Sequence, residues 1–366
     1  MIPQKFELHL AQAESLLNKV SSLRFENNPK KKNHFEQLKD FFQKIKKADY
    51  YSFKSEDLDK ARQCIDYFLL WDLEFLSHSS DTSVVPNELI FCIEKVLKEW
   101  IDKSDEYIIV TSLSSKFISY SFQSIPDDKL TILEPFLNAK FGITFKHKLL
   151  LINMPEPLTG DYLANVILFH EIGHFIDRKL RIIDLLFDKE SGLKRLENSA
   201  NPNDRLLFQQ AKHHYREFFS DLFAAQYIGD SCSCYINYIA HKQRQVFTHP
   251  GTDSRIAIVQ NFLNDDKNEI IDTIQKYINE RTDKYLQKRF VEITGQYEKD
   301  VMLSVSNNAE LYSLFIKGWE CWLNTKNDFP RKLSSGLLDG YEQLNDLIRK
   351  SIREFMDAEN QKSEAK

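Results

Sequence analysis

The sequence predicts a mostly helical α+β protein, and three observations carry that prediction. Only ten Gly and ten Pro occur in 366 residues, so long helices should dominate and turns should be few. Apolar residues recur at helical spacing along most of the chain. Between residues 105 and 153 lie three short runs of strand character, enough for a small mixed sheet. A chain of this length holds a full core, divided into two or three structural units.

The elements follow in order. Residues 1–103 read as a helical region. Phe35, Leu38, Phe41, Phe42 and Ile45 form one stripe. Ile65, Phe68, Leu69, Leu73 and Leu76 form a second, and Leu89, Ile93, Val96, Leu97 and Trp100 a third. Stripes of this kind mark core, not ligand sites. The character changes at Asp105: residues 107–111 and 117–122 read as strands, residues 127–141 as a helix and residues 147–153 as a third strand. Met154-Pro155-Glu156-Pro157 breaks that strand, and Asp161 is placed to cap a helix running to about Lys179. Asn201-Pro202-Asn203-Asp204 starts the next helix, which passes Phe218, Phe219, Leu222 and Tyr227 and stops at Gly229. After a break at His249-Pro250-Gly251, Asp253 or Ser254 can cap a helix containing Ile256, Val259 and Phe262. From Glu269 onward the pattern is helical and charged. The chain thus divides into a helical region (1–103), a core (104–268) and a second helical region (269–366).

Composition sets outer limits. At 42% hydrophobic and 28% charged the chain is globular, not disordered. A net charge of -5 argues against a nucleic-acid-binding surface spread over the molecule. Short basic runs such as Lys30-Lys31-Lys32 read as solvated ends. The five cysteines (Cys64, Cys92, Cys232, Cys234, Cys321) do not form a disulfide framework, which favours a reducing compartment. Cys232-Ser233-Cys234 lacks a second pair with ligand spacing. The first residues carry no apolar signal core, and no window approaches the ~20 apolar residues that cross a bilayer. The expectation is a cytoplasmic protein without membrane insertion.

The chemistry concentrates in one apolar helical stretch, Ile167 to Ile176, which contains His170-Glu171-Ile172-Gly173-His174. Four residues along a helix turn about 400° and rise about 6 Å, so His170 and His174 stack on one face. Two imidazoles so placed can share one zinc ion, with Glu171 beside it to take a proton from water. Buried without a partner, three ionisable groups on adjacent turns would only cost free energy. A catalytic zinc site usually takes a third protein ligand and keeps one open position. Glu217 is the best candidate, on the next helix, with His213, His214 and Asp221 as competitors. Asp221 follows Glu217 by four, shares its face, and can accept the outer N–H of a ligating histidine. Asp177 follows His174 by three and reads as an outer partner or a helix-end charge.

The two motifs together resemble the gluzincin metallopeptidases, in which H-E-x-x-H on one helix is joined by E-x-x-x-D on a later one. Glu217-Phe218-Phe219-Ser220-Asp221 fits the second motif. Thr248-His249-Pro250-Gly251-Thr252-Asp253-Ser254-Arg255-Ile256 resembles the T-H-P-x-x-x-x-R-I segment of the prenyl-processing, HtpX-type and Oma-type peptidases. The resemblance covers about residues 147–263. It implies a zincin-like core within 104–268 and one zinc ion per chain, held by His170, His174 and Glu217. Asp221 and Arg255 would support them. Those relatives are largely membrane-embedded, whereas this chain shows no membrane segment. The stretch 178–205 between the motifs is long enough for a flap.

As an expectation, the chain is then a zinc-dependent peptidase. Glu171 acts as general base on the water that the metal activates and returns the proton to the leaving amine. His249 is the candidate donor to the carbonyl oxygen, with Arg255 and Tyr215 behind it. Arg255 can equally clamp a carboxylate such as Asp221 or Asp253, and His249 can equally be a turn residue before Pro250. A peptide or protein substrate would add along the edge of the strand at 147–153. The terminal helices leave room for protein partners. The competing readings are a catalytically inactive zincin-like interaction or regulatory protein, and a zinc hydrolase of a non-peptide amide.

Overall fold

A computed structural model describes residues 3–22, 28–78, 86–114, 120–324 and 337–364. In chain order the helices and strands begin with α1 (Pro3–Ser21), α2 (Pro29–Lys47), α3 (Ser55–Cys64), α4 (Asp72–His78) and α5 (Asn87–Trp100). The middle of the chain forms β1 (Tyr107–Ser114), β2 (Ser121–Gln123), α6 (Asp127–Phe141) and β3 (Lys148–Pro155). Then come α7 (Ile167–Leu180), α8 (Ile182–Lys189), α9 (Ser191–Glu197), α10 (Pro202–Ile228) and α11 (Ser231–Ile239). The chain continues through α12 (Thr252–Leu263), α13 (Glu269–Arg281), α14 (Asn308–Leu323) and α15 (Leu337–Glu364). The protein is mostly helical with one small mixed sheet, as the sequence predicts.

The chain packs into two compact units, residues 1–85 with 103–157 and residues 86–102 with 158–366. This grouping differs from the three consecutive regions read from the sequence. Helix α5 belongs with the C-terminal residues, and the stretch 104–268 is divided, with its sheet in one unit and α7 in the other. Periodicity tells which face of a helix is buried; it does not tell against which partner.

In the first unit α2 starts at Pro29, with the Asn28 side chain accepting from Lys31 N at 3.0 Å. Its stripe Phe35, Leu38, Phe41, Phe42 and Ile45 is buried as expected. Between α3 and α4, residues Ile65–Trp71 form a π-helical segment. Ile108 and Val110 of β1 and Leu149 and Leu151 of β3, each pair two apart, face this helical core. The sheet order is β1-β3-β2. β1 runs parallel to β3 from Tyr107↔Lys148 to Ser114↔Pro155, and β2 runs antiparallel to it from Ser121↔Asn153 to Gln123↔Leu151. The third strand is therefore central, not the open edge expected for a substrate peptide. Its continuous apolar run Leu149-Leu150-Leu151-Ile152, buried throughout, is the pattern of a strand covered on both faces. The second strand begins at Ser121; residues 117–119 of that expectation lie outside the described residues.

In the second unit Trp100 of α5 donates Nε1–H to Tyr227 OH at 2.9 Å. Tyr227 OH donates in turn to Glu99 Oε2 at 3.0 Å, and Tyr312 OH to Glu99 Oε1 at 3.2 Å. These bonds join α5, α10 and α14. Asp161 Oδ1 accepts at 2.8 Å from the N–H of Ala164, the first residue of a short 3₁₀ turn, Ala164–Val166, that leads into α7. Helix α7 itself has Val166 at its N-cap and no side-chain cap, so Asp161 does not cap it as expected. Helix α7 ends where Arg181 turns left-handed, at φ 56°. The stretch expected as a flap is helical, and α8 buries Ile182, Ile183, Leu186 and Phe187. Helix α10 begins and ends where the sequence places it, with Asn201 accepting from Asn203 N at 3.1 Å and Gly229 at φ 53°.

Two expectations differ here. Helix α12 is preceded by Gly251 and has no side-chain cap from Asp253 or Ser254. Thr252 Oγ1 instead accepts from Gln243 N at 3.2 Å and donates to Ala240 O, closing the loop before the helix. Residues 282–307, expected to be helical, contain no regular helix. That stretch is held by Arg289, whose Nε donates to Gln226 Oε1 at 3.1 Å and whose Nη1 lies 3.1 Å from Glu99 Oε2. Among the described residues, no helix is long and apolar enough to cross a membrane.

Candidate metal centre

One turn of α7 separates His170 from His174, and their rings meet edge to face with centroids 4.7 Å apart. Both aim Nε2 at a single carboxylate on α10. His170 Nε2 lies 3.5 Å from Glu217 Oε2, and His174 Nε2 lies 3.3 Å from Glu217 Oε1. One ligand atom from each of the three residues falls within 4.8 Å of the others, so the group can hold a metal ion. His170 and Glu217 are buried, while the His174 side chain is 20% exposed, leaving one side of the group open to solvent.

The far side of each ring is also engaged. His170 Nδ1 stands 2.8 Å from Asp221 Oδ1, and His174 Nδ1 is 2.9 Å from Ser220 Oγ. Glu217, Ser220 and Asp221 sit at i, i+3 and i+4 of α10, which places all three on one face. Phe219 and Leu222 are fully buried away from it. Asp221 is gripped from behind by Arg255 of α12, which donates Nε–H to Oδ2 and Nη2–H to Oδ1, each at 2.7 Å. Asp221 thus stands on the outer side of His170, although His170 Nδ1 makes no well-aligned hydrogen bond there, and Arg255 clamps Asp221. Ser220 went unpredicted; its place between the two carboxylates on the same face was the available signal.

The charges around the cluster are compatible with a bound cation. Two buried carboxylates, Glu217 and Asp221, face one buried guanidinium, Arg255. Glu217 Oε2 is buried and has no hydrogen-bond partner. Burial alone would raise the Glu217 pKa, but the contacts with His170 and His174 outweigh it and hold the carboxyl far below its ordinary range. Burial pushes His170 down, yet Asp221 and Glu217 outweigh that and raise it well above an ordinary imidazole. Asp221 is likewise lowered against its burial, first by Arg255 and then by His170. Two imidazole nitrogens and a carboxylate oxygen, with one carboxylate oxygen left without a hydrogen bond, form a donor set that could hold a metal ion.

Glu171, the next residue of α7, is half-buried. It exerts its charge on Arg178 and Tyr235. His249 Nε2 lies 3.7 Å from Glu217 Oε1 with its side chain 48% exposed, and its Nδ1 is 2.8 Å from Thr248 Oγ1. It borders the three-ligand group without joining it.

The competing ligands are engaged elsewhere. His214 Nε2 lies 2.8 Å from Val246 O, and His213 packs on Phe247 with centroids 5.6 Å apart. Tyr215, expected behind His249, instead stacks edge-on against Phe187, with centroids 5.5 Å apart. Asp177 accepts from Ile183 N at 2.8 Å and faces Arg216 Nε at 3.5 Å, so it secures the α7–α8 turn. Cys232 and Cys234 stand outside the group, their thiol pKa values raised by burial.

Comparisons with protein-family models, with curated proteins and with solved structures found no match.

Proposed function

We propose that this chain is a metal-dependent peptidase of gluzincin type, with one zinc ion held by His170, His174 and Glu217. The observation that carries the reading is the convergence of both Nε2 atoms on the two oxygens of Glu217, while Asp221 and Ser220 engage both Nδ1 atoms from behind. Ordinary buried histidines need no such pairing of inner and outer partners. The zincin-like core, the kinship with the HtpX-type branch and the peptide substrate are parts of this same proposal.

Zinc bound there supplies Lewis acidity, which lowers the pKa of water and polarises a carbonyl. The protein's own groups do the rest. Asp221 and Ser220 fix the imidazole orientation, so that the Nε2 lone pairs face Glu217. Arg255 balances Asp221 and keeps that carboxylate ionised in a buried position. The half-buried Glu171 carboxylate takes the proton of the attacking water and delivers it to the leaving amine nitrogen. His249 Nε2–H, exposed beside Glu217, donates to the carbonyl oxygen as negative charge develops there. The intact Glu171 favours an enzyme over an inactive scaffold, since a scaffold would need only the ligands.

The test is a peptide-library digest with and without chelator, run beside metal analysis. We expect about one zinc per chain, cleavage that chelation abolishes, and a Glu171→Gln variant that retains the metal and loses cleavage. Full activity in that variant overturns the base assignment. A metal-loaded protein that cleaves no peptide overturns the peptidase reading.

A further inference from the structure

The second unit contains a cavity of about 600 Å³ whose described lining includes none of His170, His174 and Glu217. Its volume falls in the range of small-molecule sites, roughly 300–1,000 Å³. Four aromatic side chains line it: Tyr238 of α11, Trp319 and Trp322 of α14, and Tyr341 of α15. Among the described residues, Asp161 is the one charged side chain on the wall.

Trp319, Tyr341 and Asp161 of this wall are already engaged within the protein. Trp319 Nε1–H donates to Leu163 O at 3.1 Å, and Tyr341 OH donates to Asp161 Oδ2. Asp161 Oδ1 accepts from Ala164 N. The Trp322 and Tyr341 rings pack against each other at 69°, with centroids 5.0 Å apart. An occupant therefore meets aromatic surface and a negative field. Among the described residues Asp161 has no Lys, Arg or His within ion-pair distance, and burial raises its pKa. A neutral apolar occupant would leave that hydrogen-bonded carboxylate without a counter-charge, and an anion would be repelled. An ammonium group satisfies both features at once, because it is attracted by the carboxylate and by the negative faces of aromatic rings.

We propose that this cavity is a binding site for an organic cation, an amine or quaternary ammonium on a compact apolar body, set between the four aromatic residues and Asp161. The site stands apart from the metal ligands and does not depend on the peptidase reading.

The probe is benzyltrimethylammonium, titrated into the full-length, metal-loaded protein and followed by tryptophan fluorescence and calorimetry. Benzyl alcohol and phenylacetate serve as the neutral and anionic controls. The cation is expected to bind about tenfold or more tightly than the alcohol, and phenylacetate not at all. Tyr238→Leu at the exposed rim and Trp322→Leu inside should each weaken cation binding about tenfold or more while zinc content stays unchanged. Asp161→Asn should remove the preference for the cation over the alcohol. Cys234 lines the same cavity and is half-buried, whereas the other four cysteines are buried. Its alkylation by iodoacetamide, read by mass spectrometry, should slow when the cation is bound. Equal affinity for cation and alcohol, no binding at millimolar cation, or unchanged binding in both rim and interior variants overturns the proposal.

Discussion

Gly173 and Ser220 meet main chain to main chain: a Cβ added to Gly173 would stand 2.9 Å from Ser220 Cα and 3.1 Å from Phe223 Cβ. The atom it would strike is backbone and cannot rotate away. The absence of a side chain at the fourth position of His170-Glu171-Ile172-Gly173-His174 is what lets α7 lie close enough to α10 for both rings to reach Glu217.

Gly173→Ala should therefore loosen the centre despite alanine's better helix propensity. The propensity gain is about 1 kcal/mol, whereas overpacking at a tight contact costs about 1–3 kcal/mol. Chemical denaturation should show a net loss of stability, and metal titration a weaker affinity. An unchanged zinc affinity would mean that the helices can separate without moving the ligands.

Asp221→Asn and Ser220→Ala separate the two outer partners. The first removes the paired carboxylate from the buried Arg255 guanidinium, leaves only Glu217, 3.6 Å from Nη2, as counter-charge, and should cost up to about 3–5 kcal/mol of stability. It should also weaken metal affinity about 10–100-fold. Ser220→Ala removes one neutral hydrogen bond, costing about 1 kcal/mol, with a smaller loss of metal affinity. The order of the two variants in a zinc-competition assay is the check.

Glu217→Ala should abolish tight zinc retention while His170 and His174 remain. Metal analysis after dialysis against a weak chelator reads this directly. Retention equal to that of the unaltered chain would move the third ligand elsewhere.

Asp184 supplies a pH dependence away from the metal ligands. It lies 2.8 Å from Lys212 Nζ and 2.9 Å from Arg216 Nη2, which ties α8 to α10. Burial raises its pKa, but Lys212, Arg216 and Arg181 outweigh that and lower it below the ordinary carboxylate value. A carboxyl whose folded pKa is depressed stabilises the fold above its unfolded pKa, near 3.9, and loses that contribution as pH falls through the folded value. The stability gap between the unaltered chain and Asp184→Asn should be full near pH 6 and close below about pH 4. A gap that widens in acid would reverse the sign and refute the assignment.

Much of this centre was legible in sequence because its geometry is local to single helices. His170 and His174 are one turn apart, as are Glu217 and Asp221, and helix periodicity alone brings each pair onto a face. What escaped depends on distant partners. Ser220 reads as any helical serine until α7 lies against it. The run from Leu149 to Ile152 could belong to an edge or a centre, and only pairing with β1 and β2 decides between them. Helix α5 has a clear apolar face, yet its sequence does not name Tyr227 of α10 as the partner of Trp100. Residues 282–307 carry helix-compatible charges, but Arg289 finds its partners in α5 and α10 rather than one turn away.

Helix α10 contributes Glu217, Ser220 and Asp221, and α7 contributes both imidazoles, so a single pair of rods defines every inner distance of the centre. Sliding or tilting one rod against the other changes all of those distances together. Such an assembly would gain or lose an ion as a unit. The same economy makes it portable: a host able to hold two helices at this spacing, with an arginine behind Asp221, would inherit the whole ligand geometry.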